Sequence, residues 1–220
     1  MFASELISNV VPPLRTTDTV QKALERLSDL KLYHLPVLGD QQYLGLVTED
    51  ELIEVRDGSQ TIGEMSLSIL NSFVYQDAHV YDVIRLFDQL GLSVVPVLDY
   101  QKNYLGLISV HSLVGFAADI FAVKDPGGIL VLEINNRNNS LTHMAQIVEA
   151  DNAQILSSYV QHFPDSTRLE VTLKINKTEL SGIISSFERY QYQVKAVFNS
   201  TSKDHGAEDR YNSFMNYLNV

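Results

Sequence analysis

Two four-residue stretches carry the side chains best suited to chemistry. Thr48-Glu49-Asp50-Glu51 sets a hydroxyl and a carboxylate three residues apart, and Ser109-Val110-His111-Ser112 sets two hydroxyls at the same spacing. Three residues is close to one helical turn, so at a helix start each pair shares a face. Such a pair can cap the helix, hydroxyl and carboxylate each satisfying a free backbone N–H. Exposed hydroxyl and carboxylate groups can also hydrogen-bond a polar ligand, and residue types alone leave both uses open.

Covalent and metal chemistry have less to work with. Cysteine is absent, which excludes disulfides, thiolate catalysis and cysteine metal sites. His34, His79, His111, His143, His162 and His205 show no ligand spacing. No Gly-x-Ser-x-Gly, glycine-rich phosphate loop or His-Glu-x-x-His occurs. The expectation is a protein that is not an enzyme and requires no cofactor and no metal.

Charge narrows the partners. The net charge is −11, with −9 in residues 1–120 and −2 in residues 121–220. An acidic surface repels phosphate backbones, so no nucleic acid is expected, and a triphosphate is disfavoured in the first half. Arg15, Lys31 and Lys102 are the nearest cations to the two stretches. No apolar run approaches the roughly 20 residues that cross a bilayer. The first residues lack the basic start of a signal peptide. A cytoplasmic protein with no membrane contact is expected.

The elements that hold the two stretches come from a duplication. Leu35-Pro36-Val37-Leu38 recurs as Val95-Pro96-Val97-Leu98, and Tyr43-Leu44-Gly45-Leu46-Val47-Thr48 as Tyr104-Leu105-Gly106-Leu107-Ile108-Ser109. The one-residue offset falls in a polar turn, where insertions are tolerated. Val20, Ala23, Leu24, Leu27 and Leu30 draw a helical stripe, matched by Val80, Val83, Ile84, Phe87 and Leu90. Second helices are predicted at about Glu49–Val55 and Val110–Ala118. Each copy reads strand–helix–strand–strand–helix. One copy alone would leave a sheet face bare, so the two must pack together.

This tandem pattern resembles the CBS-domain pair, or Bateman module, over roughly residues 1–122, with repeats at about 1–60 and 61–122. The resemblance implies an α/β fold with pseudo-twofold symmetry and a cleft on each side of the axis, often holding an adenosine-type ligand. In the family a Thr/Ser-x-x-Asp opens the last helix. Glu51 stands at that Asp position in the first copy and Ser112 in the second. The resemblance therefore favours the Thr48–Glu51 cleft, with the backbone of His34-Leu35-Pro36 facing the base, and makes Val95, Pro96, Ser109 and Ser112 the second candidate set. AMP, adenosine or S-adenosylmethionine would suit the charge.

Lys124-Asp125-Pro126-Gly127-Gly128 is a breaker cluster, and a hinge is expected at 123–128. Beyond it the pattern gives strand 129–134, a helix from Leu141 capped by Ser140, strands 154–162 and 169–175, a helix marked by Leu180, Ile183, Ile184 and Phe187, and strand 193–198. The order is βαββαβ, a ferredoxin-like α+β domain over 129–199. Its first loop resembles that of the ACT domain, where an Arg-Pro-Gly type turn helps bind amino acids at a dimer interface. The matching stretch is Asn136, Arg137, Asn138, Asn139 and Ser140, with Asn where the family has Pro and Gly. A polar linker and tail fill 200–220, where Tyr211, Phe214, Met215 and Leu218 form an apolar stripe that needs a surface.

The whole arrangement is similar to acetoin-utilisation-type CBS proteins. It implies a regulatory sensor, forming a homodimer, that binds a small molecule in the CBS cleft and acts on a regulated protein. The alternatives are a ligand-free interaction scaffold and an enzyme whose site is assembled only in space.

Overall fold

The computed structural model describes residues 1–8, 10–135, 140–164 and 167–198. The chain divides into two compact units, residues 1–116 and 117–220. In the first, each copy of the duplication contributes a small sheet. The first copy runs β1 (Leu14–Arg15), α1 (Val20–Leu30), β2 (His34–Gly39), β3 (Gln42–Thr48) and α2 (Glu49–Ile53). The second runs β4 (Val74–Tyr75), α3 (Val80–Leu90), β5 (Val94–Leu98), β6 (Tyr104–Ser109) and α4 (Val110–Ile120). The sheet orders are β1-β2-β3 and β4-β5-β6. The division between the units falls inside α4.

Registers repeat as closely as the sequence does. Pro36 stands opposite Leu46, and Pro96 opposite Leu107. Both prolines lie in the middle strand of their sheet, a place that normally needs every N–H. The short first strands remove the conflict. β1 pairs only with Val37 and Leu38, and β4 only with Val97 and Leu98, so no ladder partner is lost at the prolines. Gly45 and Gly106 face Val37 and Val97 beside a β-bulge in each hairpin. A Cβ at Gly45 would lie 3.0 Å from the Ile69 carbonyl, because the segment before β4 crosses this strand and accepts from Leu46 N–H at 2.8 Å.

The two copies are joined by reciprocal bonds. Tyr43 N–H donates to Lys102 O at 3.3 Å and Tyr104 N–H to Gln41 O at 3.1 Å. Leu35, Val37, Val95 and Val97 are all sealed from solvent in one continuous core. On α1 the stripe buries Val20, Ala23 and Leu27. On α3 it buries Val80 and Val83, but Ile84 and Leu90 are 42% and 50% exposed. That flank of the stripe is not core, because among the described residues no element packs over it. The second helices also differ slightly from expectation. α2 ends at Ile53, since Arg56-Asp57-Gly58-Ser59 follows with a turn, and α4 runs two residues past Ala118.

The second unit carries β7 (Gly128–Asn135), α5 (Leu141–Glu149), β8 (Ile155–His162), β9 (Arg168–Ile175), α6 (Ser181–Arg189) and β10 (Gln193–Phe198). The antiparallel order β10-β7-β9-β8 is the ferredoxin-like split βαβ arrangement. Leu130, Leu132, Val171 and Leu173 pack against Met144, Val148, Ile183 and Phe187 of the two helices. Strand alternation puts their neighbours on the opposite face.

The duplication yields a stability test at one matched position. α1 ends on Lys31 in the left-handed region (φ 53°) and α3 on Gly91 (φ 60°). This geometry costs a residue with a Cβ about 1 kcal/mol more than glycine. A Cβ at Gly91 would meet nothing within 4 Å, so only the backbone cost applies. Gly91→Ala is expected to lower, and Lys31→Gly to raise, the urea-unfolding free energy by about 1 kcal/mol each. Changes of equal sign would refute the equivalence.

Candidate functional site

Thr48 and Ser109 end β3 and β6 and open α2 and α4 at equivalent places. Their surroundings have diverged. In the first copy the Glu51 carboxylate accepts from Thr48 N–H at 2.8 Å, from the Thr48 hydroxyl at 3.0 Å and from Ser68 N–H at 3.0 Å. Thr48 Oγ1 in turn accepts from Glu51 N–H at 3.1 Å, completing a capping box. Burial pushes the Glu51 carboxyl up, but the hydrogen bonds from Ser68 and Thr48 outweigh it and hold the group below its ordinary range. Three carboxylates, on Glu49, Asp50 and Glu51, sit in the first turn of α2.

In the second copy Ser112 N–H donates to Ser109 Oγ at 3.1 Å, and the two hydroxyls lie 3.0 Å apart. The first turn of α4 holds no acidic residue. These hydroxyls face a cavity of about 570 Å³. Val10, Val11, Leu30, Leu32, Leu92 and Val110 give it apolar walls, while Lys31, Ser93 and His111 add polar groups. No acidic side chain is among its described lining residues. The elements explain the chemistry: the left-handed ends of α1 and α3 bring Lys31 and Gly91 to the wall together.

Ser93 ties this cavity to His34. Its hydroxyl accepts from Tyr33 N–H at 3.2 Å and His34 N–H at 3.1 Å, and its own N–H donates to His34 Nδ1 at 3.2 Å. An acceptor Nδ1 requires the neutral imidazole with its proton on Nε2. Burial lowers the His34 pKa, against the opposing pull of Glu51 and Asp50.

Of the residues singled out from sequence, Ser109 and Ser112 stand on the cavity wall, and His34 is one hydrogen bond away through Ser93. Thr48 and Glu51 are not on that wall. Leu35, Pro36, Val95 and Pro96 are buried within their strands and are not on that wall. Ser93, Tyr33 and Leu92 were not singled out. The signal was present, since Tyr33 and Ser93 immediately precede the repeated strands at the 60-residue offset.

In the second unit Asn136, Arg137, Asn138 and Asn139 lie outside the described residues. Ser140 caps α5, accepting from His143 N–H at 3.2 Å. A polar cavity of about 310 Å³ beside the end of β7 is bounded by Glu133, Thr167, Arg168 and Tyr192. Glu133 and Arg168 pair there at 3.5 Å. Among the described residues no group of His, Asp or Glu could hold a metal ion. No helix among them is long and apolar enough to cross a membrane.

Residues 3–58 and 68–119 match the CBS domain family. The chain belongs to the CBS-domain proteins, with two copies in tandem followed by a ferredoxin-like βαββαβ unit. The uncharacterized protein MJ0188 of Methanocaldococcus jannaschii is 24% identical over 48% of this chain. The match spans 40% of that relative's length. A CBS domain pair/ACT domain protein from Thermotoga maritima is 19% identical with a TM-score of 0.49, over 53% of this chain and 96% of that one. A Vibrio cholerae protein provisionally assigned to acetoin utilization (AcuB) is 16% identical with a TM-score of 0.49, over 56% of this chain and 95% of that one.

The His34–Ser93 link predicts a pH dependence. The unfolded imidazole takes up a proton near 6.5, whereas the folded one does so only at lower pH. Below about 6.5 the unfolded chain therefore binds more protons, and stability falls as pH drops until the folded pKa is passed. His34→Asn keeps an acceptor for Ser93 N–H and cannot titrate. Urea midpoints for this variant are expected to vary less between about pH 7.5 and 5.5. A slope as steep as the parent's would place the proton uptake elsewhere.

Proposed function

We propose that this protein is a non-catalytic regulatory sensor that takes an adenosine-type nucleotide in the cavity beside Ser109 and Ser112. The observation carrying this reading is the divergence of two matched helix starts. One helix start bears three carboxylates, of which Glu51 is already satisfied by protein donors. The other is neutral and opens on a cavity with Lys31 at its wall. A phosphate is repelled by the first and accommodated by the second. The aliphatic walls suit a purine face, and the paired hydroxyls suit a ribose. AMP fits this description best; adenosine and S-adenosylmethionine share the nucleoside part.

The tandem pair, residues 1–122, does the sensing in this reading, and the hinge at 123–128 leads to the ACT-like domain at 129–199. That domain serves dimerisation or a second ligand, for which the polar cavity near Glu133 offers a place. The homodimer works in the cytoplasm on a regulated protein. A ligand-free scaffold is the second reading, favoured by the Glu51 carboxylate being engaged within the protein.

Calorimetry with AMP, adenosine, ATP and S-adenosylmethionine separates the two. AMP is expected to bind, and Lys31→Ala to weaken AMP about tenfold while leaving adenosine almost unchanged, the loss of one phosphate contact. Ser112→Trp, which fills the cavity, abolishes both. If Glu51→Ala removes binding and Lys31→Ala does not, the ligand occupies the first cleft. No heat with any of the four at millimolar concentration selects the scaffold.

A further inference from the structure

The four-stranded sheet of the second unit buries one face under α5 and α6, and among the described residues no element covers the other. Alternation puts Ile129, Val131, Tyr159 and Thr172 on the open face. There a groove of about 360 Å³ runs over Ile129, Tyr159 and Thr172, walled by Phe121 and Val123. The wall is fixed to the sheet. The Ser157 hydroxyl donates to the Phe121 carbonyl at 2.9 Å, and the Phe121 ring meets Tyr159 edge-on at 5.7 Å. Phe121, Val123 and Tyr159 remain 42%, 65% and 48% exposed. Apolar side chains clustered in this way mark a docking surface.

What covers it is indicated by where the chain goes next. β10 is an edge strand, and its last residue, Phe198, pairs in register with Ile129 of the groove floor. Phe198 is itself 58% exposed. Residues 199–220 follow Phe198 in the sequence and lie outside the described residues. They begin with a polar stretch and end with Tyr211, Phe214, Met215 and Leu218 at i, i+3, i+4 and i+7, the spacing of a one-sided apolar helix. The stripe lacks the basic face of a membrane-surface helix, since Arg210 is the one cation between 210 and 218. Twelve residues separate Phe198 from Tyr211. Fully extended they would span about 40 Å, ample to turn back across one sheet.

We infer that the segment Arg210–Leu218 docks through its apolar stripe in the groove formed by Phe121, Ile129, Tyr159 and Thr172 of its own chain. The linker supplies an effective concentration near the millimolar range, so even weak contacts hold the segment in place. A second copy of the sheet face would bury the groove but leave the stripe bare. Docking of the tail buries both. The inference stands whether or not the cleft of the first unit binds a nucleotide.

The chain contains no cysteine, so cross-linking tests it directly. In full-length protein, Thr172→Cys is combined with Met215→Cys, or with Ser213→Cys, which lies on the opposite side of the stripe. Disulfide formation in glutathione buffer is followed by gel mobility and intact mass across a range of protein concentrations. The Met215 pair is expected to close within one chain, independently of concentration, about tenfold faster than the Ser213 pair. Adding Phe214→Asp should remove that advantage. Equal rates for the two pairs, or covalent dimers as the main product, would overturn the inference, dimers pointing to a second copy in the groove. Should Thr172→Cys fail to fold, Ser157→Cys on the same groove gives the same comparison.

Discussion

Everything in the first unit depends on burying two three-stranded sheets against each other. Neither copy can do so alone, because β2 from Leu35 to Leu38 and β5 throughout are apolar and buried. Leu35, Val37, Val95 and Val97 are almost wholly removed from water only in the paired unit, and that burial dominates its stability. The hydrogen bonds fix the pairing geometry rather than supply most of its energy. Tyr43 and Tyr104 each donate to the other copy's hairpin turn, and Ser93 exchanges bonds with His34 where the middle strands begin. Such bonds contribute roughly 1 kcal/mol apiece, yet leaving their buried groups unpaired would cost more. Even Tyr43, whose phenol burial pushes up to about 12, keeps its hydroxyl within 3.2 Å of the buried Ser72.

Once the backbone is set by that packing, matched positions are free to differ chemically. Glu51 and Ser112 show how. Both close the first turn of a helix through a hydroxyl acceptor, on Thr48 or Ser109, so both solve the same capping problem. They leave opposite fields behind. Around Thr48 a satisfied carboxylate also pins Ser68, fastening the segment that crosses β3. Around Ser109 a neutral pair faces open volume. At the acidic helix start the carboxylate holds the fold, whereas at the neutral one the two hydroxyls bond to each other at the edge of the cavity.

Much of this was legible in the sequence because it rests on periodicity. The 60-residue repeat gave the pairing, the alternation and helical stripes gave the elements, and the βαββαβ order followed from 3.6- and 2-residue periods after the Gly127-Gly128 break. Features that depend on a third partner were not legible. Nothing in Gly45 says that the segment through Ile69 will cross it. Nothing in Leu14-Arg15 says that the first strand stops at two residues and so tolerates Pro36 beside it. The stripe on α3 predicted burial for Ile84 and Leu90, but periodicity reports which face is apolar, not whether anything covers it. The site divided in the same way. Ser109 and Ser112 were found by their match to Thr48 and Glu51, whereas the preference between clefts depends on Ser68 reaching Glu51 and on Lys31 reaching the cavity wall. Both are distances in space.

The position of the cavity bears on how a sensor of this kind would act. Its wall draws Ser8 to Val11 from the entry segment, Leu30 to Tyr33 from the first copy, and Gly91 to Ser93 and Ser109 to Ser112 from the second. A ligand seated there touches both halves of the duplication at once. Its binding energy would add to the cohesion of the pair and be withheld from any state in which the halves separate or slide. At a hundred times its dissociation constant it would favour the assembled pair by about 2.7 kcal/mol. That is comparable to two or three of the hydrogen bonds that link the copies. Occupancy alone signals nothing if every accessible state offers the same contacts. A cavity built across a seam escapes that limit, because shifting the seam changes the contacts themselves. Ser93 stands on the cavity wall and also holds His34 across the seam, so in such a sensor it would link a change in one to the other.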